Sequence, residues 1–109
     1  MSKTIWYFIS GGIETFKVAV NLAETVADLK KQIKRENPDL NASYVALYRG
    51  DVDEAIDKQK KDRMKELNRL FKNLDKCVEL DDEQQEISEF FGEGQQGRIC
   101  YVLVQPREG

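Results

Sequence analysis

The 109-residue sequence has no histidine, only two cysteines and two prolines, and no long hydrophobic run. Without histidine, the chain lacks the usual general base of nucleophilic catalysis and the commonest metal ligand. Cys77 and Cys100 have no metal-binding spacing, so we expect packed thiols, although a disulfide between them stays open. A membrane-spanning helix, which needs about 18 apolar residues, is excluded. We therefore expect no catalytic residues, no cofactor and no metal site.

Charge is plentiful and separated into blocks. Lys and Arg number 17 against 20 Asp and Glu, which gives a net charge of −3 and argues against a general nucleic-acid surface. Basic residues dominate from Lys58 to Lys76, and every charged residue from Glu79 to Glu93 is acidic. Such blocks are most often solvated faces. The sequence therefore predicts no nucleic-acid binding by this chain.

A strand followed by a helix, over residues 16–36, is the unit around which the sequence is organised. Alternating apolar residues predict a half-buried strand, and apolar residues at helical spacing predict the helix after it. Thr25 is a natural N-cap, and Asp28 completes a weak form of the capping box. We expect Leu29 and Ile33 to be fully buried against strand residues, namely Phe16, Val18 and Val102. The basic residues of the helix are expected in solvent, namely Lys30, Lys31, Lys34 and Arg35.

Two strands near the chain ends are apolar on both faces. Residues 4–10 (TIWYFIS) and 98–105 (RICYVLVQ) combine β-branched and aromatic side chains, which is typical of central strands. Pro106 should end the second strand. Because both strands need a neighbour on each side, we expect them to lie next to each other in parallel.

The third predicted strand, 43–49, precedes a helical insertion over residues 51–76. Gly50 and Asp51 are expected to stop the strand, and the polar first part of the insertion is expected to be mobile. A helix over 62–75 carries an apolar stripe that is either core or a possible association face, namely Met64, Leu67, Leu70, Phe71 and Leu74. Since an isolated helix of this length is marginal in water, we expect it to pack on its own domain. Its basic residues would then be exposed, namely Lys65, Arg69 and Lys72.

The order of elements resembles that of ubiquitin-like β-grasp domains. After the insertion, alternation at 78–80 predicts a short strand, and the aromatic run at 87–91 predicts one helical turn. The segment TVADLKKQIK is similar to the ubiquitin helix that follows strand two. The resemblance implies an α+β fold in which a mixed sheet of four or five strands packs on one main helix. A single domain over residues 1–109 is expected.

A narrower resemblance covers nearly the whole chain. The blocks TIWYFISG, FKVAV, TVADLKKQIKRENPDLNASYVALYR, VELDDEQQEISEFF and RICYVLVQP are together similar to the N-terminal domain of Crinkler effectors, secreted proteins of oomycetes and some fungi. This resemblance implies a non-catalytic, ubiquitin-like N-terminal domain that acts in delivery into host cells. It also implies protein partners from the host or the delivery route, final location in the host cytoplasm or nucleus, and a C-terminal effector domain that is absent from this chain.

The oomycete signature of that N-terminal domain, Leu-x-Leu-Phe-Leu-Ala-Lys, corresponds to residues 45–51. Its apolar pair and its aromatic residue are matched here, whereas the Leu-Ala-Lys ending is not, which favours a fungal-type or divergent member. The resemblance makes this strand the candidate protein-binding site, formed by Val45, Leu47, Tyr48 and Arg49.

Other functions stay open at this stage. An intracellular, cytoplasmic ubiquitin-like adaptor would dock its partners through the sheet or the helix. A conjugated modifier fits less well, because the tail reads QPREG and not Gly-Gly. We expect a monomer, with weak self-association left open. The N-terminus has the pattern of a strand and not of a signal peptide, and whether a signal peptide has been removed stays undecided.

Overall fold

A mixed sheet carries the fold. The structure is a computed structural model that describes residues 2–40, 44–91 and 97–107. Within those residues the five strands are β1 (Ser2–Ile9), β2 (Thr15–Asn21), β3 (Tyr44–Asp53), β4 (Val78–Glu79) and β5 (Arg98–Arg107). Their order across the sheet is β2-β1-β5-β3-β4. β1 and β5 pair in parallel and every other pair is antiparallel, so the predicted parallel pairing of the two apolar strands is confirmed.

The helices connect these strands. They are α1 (Val26–Glu36), α2 (Glu54–Asp57), α3 (Lys60–Phe71) and α4 (Ser88–Phe91), with 3₁₀ turns at Pro38–Leu40 and Leu74–Lys76. The capping box predicted for α1 is confirmed. The Thr25 Oγ1 accepts from the Asp28 amide at 3.4 Å, and the Asp28 carboxylate accepts from the Thr25 amide at 3.1 Å. This reciprocal pair satisfies amides that the first turn of a helix leaves without a partner.

The first core lies between α1 and one face of the sheet. Leu29 and Ile33 are fully buried there together with Val18 and Val102, as predicted. The prediction for Phe16 was wrong, because its side chain is 39% exposed. Phe16 lies opposite Tyr7 in the β1–β2 register and stacks on its ring with centroids 5.5 Å apart. Tyr7 takes the inner position, and Phe16 covers it from outside.

The prediction that Lys30 faces solvent was also wrong. Its side chain is buried, with the Nζ 3.0 Å from the Glu83 carboxylate and 4.9 Å from the centre of the Tyr44 ring. The cause is a contact far along the chain: the carbonyl oxygens of Glu83 and Gln85 accept hydrogen bonds from the first amides of α1. Lys31 and Arg35 are exposed on the outer side of the helix, as predicted, whereas Lys34 is half-buried.

The second core lies between α3 and the opposite face of the sheet. Leu67 is fully buried against sheet residues including Tyr48 and Leu103, and the rest of the apolar stripe packs around it half-buried. The predicted packing of this helix on its own domain is confirmed, as is the exposure of its basic residues, namely Lys65, Arg69 and Lys72. The helix begins and ends earlier than predicted. If the apolar stripe bound a second copy of the chain, α3 would have to detach from the sheet.

Gly50 does not stop β3, which continues to Asp53. A β-carbon on Gly50 would lie 2.9 Å from the Leu70 Cδ1 and 3.1 Å from the Leu103 Cδ1. A side chain at this place would therefore require these leucine ends to shift, so glycine fits here because α3 approaches the strand closely, and not because the chain turns. The segment after it, predicted to be polar and mobile, forms the end of β3 and then α2 (Glu54–Asp57).

Pro106 does not end β5, which continues to Arg107 and pairs with β3 over this stretch. Pairing with β1 stops at Val104, whose carbonyl accepts from the Ser10 amide at 2.9 Å. The backbone groups of alternate residues in a strand point to the same side. The Pro106 nitrogen therefore points to the β1 side, as the Val104 carbonyl does, at a place where β1 has already ended. The missing proline N–H therefore costs no ladder hydrogen bond.

Candidate protein-binding site

The structure does not bring the four predicted binding residues to one surface. Val45 and Leu47 point into the core beneath α1, whereas Tyr48 points into the core beneath α3. All three are buried. Arg49 is half-buried and borders two cavities at the outer edge of β3. β3 is thus covered by a helix on each face of the sheet. Of the four predicted residues, Arg49 is the one that reaches solvent.

Arg49 is tied to the C-terminal end of α4. Its Nη1 donates a hydrogen bond of 2.7 Å to the Phe90 carbonyl, and the Nζ of Lys3 donates one of the same length to the Phe91 carbonyl. These carbonyls belong to the last turn of a helix, where no intrahelical amide is available. Two cations from β1 and β3 therefore hold α4 over the end of the sheet.

The Nε of Arg49 is poorly satisfied. This atom lies 3.6 Å from the Asp51 Oδ1, which is an ion pair but too long for a hydrogen bond. The Nε is buried and makes no hydrogen bond with any described residue. Guanidinium carries five donors in a fixed plane, and the charge of Arg49, half-buried beside both cavities, contributes to their positive potential.

The first cavity beside Arg49 has a volume of about 250 Å³ and lies on the α1 side of the sheet. Its apolar wall includes Ile5, Phe91 and Cys100, and its polar residues are Lys3, Thr4, Arg49, Asp51 and Arg98. The cavity is small and mostly apolar inside, with charges concentrated around it.

The second cavity, of about 400 Å³, lies along the outer edge of β3 and shares Arg49, Asp51 and Arg98 with the first. It adds two more cations, Arg69 and Lys76. We call the two cavities together the basic cleft, defined by Lys3, Arg49, Asp51, Arg69, Lys76 and Arg98. Asp51 is the one carboxylate among these lining residues, so the basic cleft concentrates positive charge on a chain whose net charge is −3. Such a cleft attracts anionic groups.

The two cysteines are free thiols near this cleft. Burial raises the pKa of Cys100 to about 11, with Arg49 lowering it and Asp51 raising it by smaller amounts. Burial, and then Asp51 and Asp75, also raise the pKa of Cys77. Since the thiolate is the reactive form, both side chains stay protonated at neutral pH and behave as the packed thiols that were expected.

Other kinds of site find no support within the described part of the chain. Its His, Cys, Asp and Glu residues form no group that could hold a metal ion. None of its helices is both long enough and apolar enough to cross a membrane.

Sequence reasoning missed most of the basic cleft. Lys3 and Arg98 line the same cavity. Each lies three residues before a member of the parallel pair Trp6–Tyr101, so both are at the same end of the sheet. The available signal was the parallel pairing predicted for the two apolar strands, since it places the starts of both strands at one end of the sheet. Arg69 and Lys76 belong to the basic block that was interpreted as a solvated face.

Comparison with known families adds one finding. The model of the Crinkler effector protein N-terminal domain matches residues 4–105. The matched region contains nearly all of the sheet, the four helices and every cation of the basic cleft except Lys3. Curated proteins gave no match. Because the family model covers nearly the whole chain, the chain belongs to the family of Crinkler effector N-terminal domains.

Proposed function

We propose that this chain is the non-catalytic, ubiquitin-like N-terminal domain of a secreted Crinkler-type effector. It acts in delivery into the host cell by binding a protein partner, and a separate C-terminal domain carries the effector activity inside the host cytoplasm or nucleus. The family match over residues 4–105 supports the effector part of this proposal.

The topology supports the ubiquitin-like part. The strand order β2-β1-β5-β3-β4, with its parallel central pair, places α1 on one face of the sheet as the crossover between β2 and β3. That is the arrangement expected of a β-grasp domain. In this interpretation α2 and α3 are the insertion, and they cover the sheet face that a smaller domain of this kind would leave open.

The position of Arg49 is the observation that carries the binding role. This residue lies in the strand that corresponds to the family signature, and it is also the centre of the basic cleft, where both cavities meet. Val45, Leu47 and Tyr48 of the signature are buried and cannot contact a partner without unfolding. The contact surface of this domain is therefore the edge of β3 at Arg49.

Uptake of a fluorescent reporter fused to this chain tests the proposal. Arg98→Gln with Lys76→Gln removes two exposed cleft cations whose side chains make no hydrogen bond or ion pair with the described residues. Lys17→Gln with Lys61→Gln, two exposed lysines that do not line the cleft, is the matched control for the change in net charge. We expect the cleft pair to reduce host-cell uptake and the control pair to leave it unchanged. Equal uptake by both variants, with both folded, would remove the basic cleft from the delivery step.

A further inference from the structure

We propose that the ligand of the basic cleft is an acidic peptide segment in extended conformation that carries one apolar side chain. The apolar side chain occupies the 250 Å³ cavity, and the flanking carboxylates pair with the cations around it. This inference rests on the proposed function, because it takes the basic cleft to be the surface that faces the partner.

The size and lining of the smaller cavity favour a side chain. Pockets for drug-sized ligands and cofactors have volumes of about 300–1,000 Å³, so a cavity of about 250 Å³ is too small for most of them. Its inner wall is formed by Ile5, Phe91 and the protonated thiol of Cys100. An aliphatic or aromatic side chain gains free energy by leaving water for such a wall, whereas a phosphate group does not.

The charges of the cleft are compensated only in part from within the protein. Arg69 is paired with Glu66. Asp51 is already paired with Arg49. Asp53, which lies opposite Arg98 in the register, accepts a 2.9 Å hydrogen bond from the Ala55 amide at the start of α2. Arg98 and Lys76 make no ion pair with any residue that the structure describes. Carboxylates of a ligand would supply the missing partners, and hydrogen bonds between ionised groups are the stronger kind.

An open strand edge favours an extended peptide over a free anion. β5 pairs with β3 along its whole length, but β4 pairs only with Tyr48 and Arg49 on the other side. The Leu47 carbonyl accepts from the Leu80 amide on that outer side at 2.9 Å. Because successive residues of a strand alternate the direction of their backbone groups, Asp51 turns its amide and carbonyl to the same side, into the cleft. An extended segment can pair with this edge.

Fluorescence anisotropy with three labelled peptides tests this inference on the whole chain. The first probe is Asp-Glu-Leu-Glu-Asp-Glu, the second has Ser in place of Leu, and the third has Asn and Gln in place of Asp and Glu. We expect the first to bind, the second to bind about tenfold more weakly, and the third not to bind detectably. Raising NaCl from about 50 mM to about 300 mM should weaken the first complex, since exposed ion pairs are screened.

The same two double variants locate the binding. Arg98→Gln with Lys76→Gln should weaken the first peptide about fivefold or more, and Lys17→Gln with Lys61→Gln should not. Equal binding of the Leu and Ser peptides would overturn the role of the cavity. Displacement of the peptide by inorganic phosphate or a short RNA at concentrations similar to its own would show recognition of charge alone and would also overturn the inference. Failure of the first peptide to bind would also overturn the inference.

These results are distinguishable from failure of the proposed function. If the cleft variant loses the peptide but enters host cells like the parent chain, this inference holds and the delivery role of the cleft does not. If the variant loses uptake while no acidic peptide binds, the delivery role holds and this ligand is wrong.

Discussion

Leu70 of α3 lies over Gly50 of β3 so closely that a β-carbon on Gly50 would sit 2.9 Å from the Leu70 Cδ1. The missing side chain lets α3 settle on the face of the sheet opposite α1. Because α1 and α3 then cover β3 on both faces, the part of this strand that stays accessible is its outer edge, where the basic cleft lies. The contact between these two residues thus keeps the α3-facing side of β3 covered.

The first prediction tests this contact. Gly50→Ala should destabilise the domain by about 1–3 kcal/mol, because an added methyl group overpacks a filled core. Gly50→Ala combined with Leu70→Ala should be more stable than the sum of the two single changes predicts, since the shorter side chain makes room. Urea unfolding of the four proteins of this double-mutant cycle measures the coupling. Additive effects would mean that α3 does not press on Gly50.

The second prediction concerns the core beneath α1. Leu29 is fully buried, so Leu29→Asp places a carboxylate without a partner in an apolar core. The domain should lose several kcal/mol and unfold. Lys31→Asp, at an exposed position of the same helix, is the control and should keep a cooperative thermal transition. A melting temperature of Leu29→Asp close to that of the parent would show that α1 does not pack on the sheet.

The third prediction separates packing from association for α3. Leu67→Lys with Leu74→Lys should destabilise the monomer, because Leu67 is fully buried and Leu74 packs beside it in the second core. Light scattering over a concentration series should find a monomer for the parent chain. Lys65→Ala, at an exposed position of the same helix, should change neither result. A parent dimer that becomes a folded monomer in the double variant would make the stripe an association face.

The fourth prediction uses the pKa of Cys100, which burial raises from 9.0 to about 11. Below pH 9 the thiol is protonated in both the folded and the unfolded chain, so its contribution to stability is fully present. As pH rises toward 11 the unfolded thiol ionises first, and that contribution is lost. Cys100→Ala removes this loss, while the other groups with raised pKa, Tyr7, Cys77 and Tyr101, remain in both proteins.

Urea midpoints at about pH 8 and about pH 10.5 provide the measurement for this fourth prediction. The parent should lose more stability between the two pH values than Cys100→Ala does. If the free energy of unfolding fell by the same amount in both proteins, the Cys100 thiol would be in contact with solvent and not buried.

Local sequence patterns were enough to predict most elements of this fold. Thr25 and Asp28 mark the start of α1 because their side chains bond to amides only three residues away. The apolar character of both faces in 4–10 and 98–105 predicted two neighbouring central strands, since a strand that is apolar on both sides must be covered on both. The stripe of α3 predicted a packed helix for the same reason.

Sequence patterns predicted less of the candidate site. Arg49 was found through the family signature, but Lys3, Lys76 and Arg98 come from separate parts of the chain and share no motif. They meet at one cleft only because β1, β5 and the segment before β4 converge at the same end of the sheet. Residues 45, 47 and 48 were expected in contact with a partner, and the packing of two helices decided that they are core.

The sequence by itself therefore determined the elements, their amphipathic faces and the parallel neighbours at the centre of the sheet, because these depend on the spacing of residues along a few turns. Only the tertiary structure decided the surroundings of individual side chains. Lys30 is buried because residues 83–85 return to the start of α1, and Gly50 lacks room for a side chain in the present packing because Leu70 lies over it. Both facts depend on contacts between residues distant in sequence, and no local periodicity records such contacts.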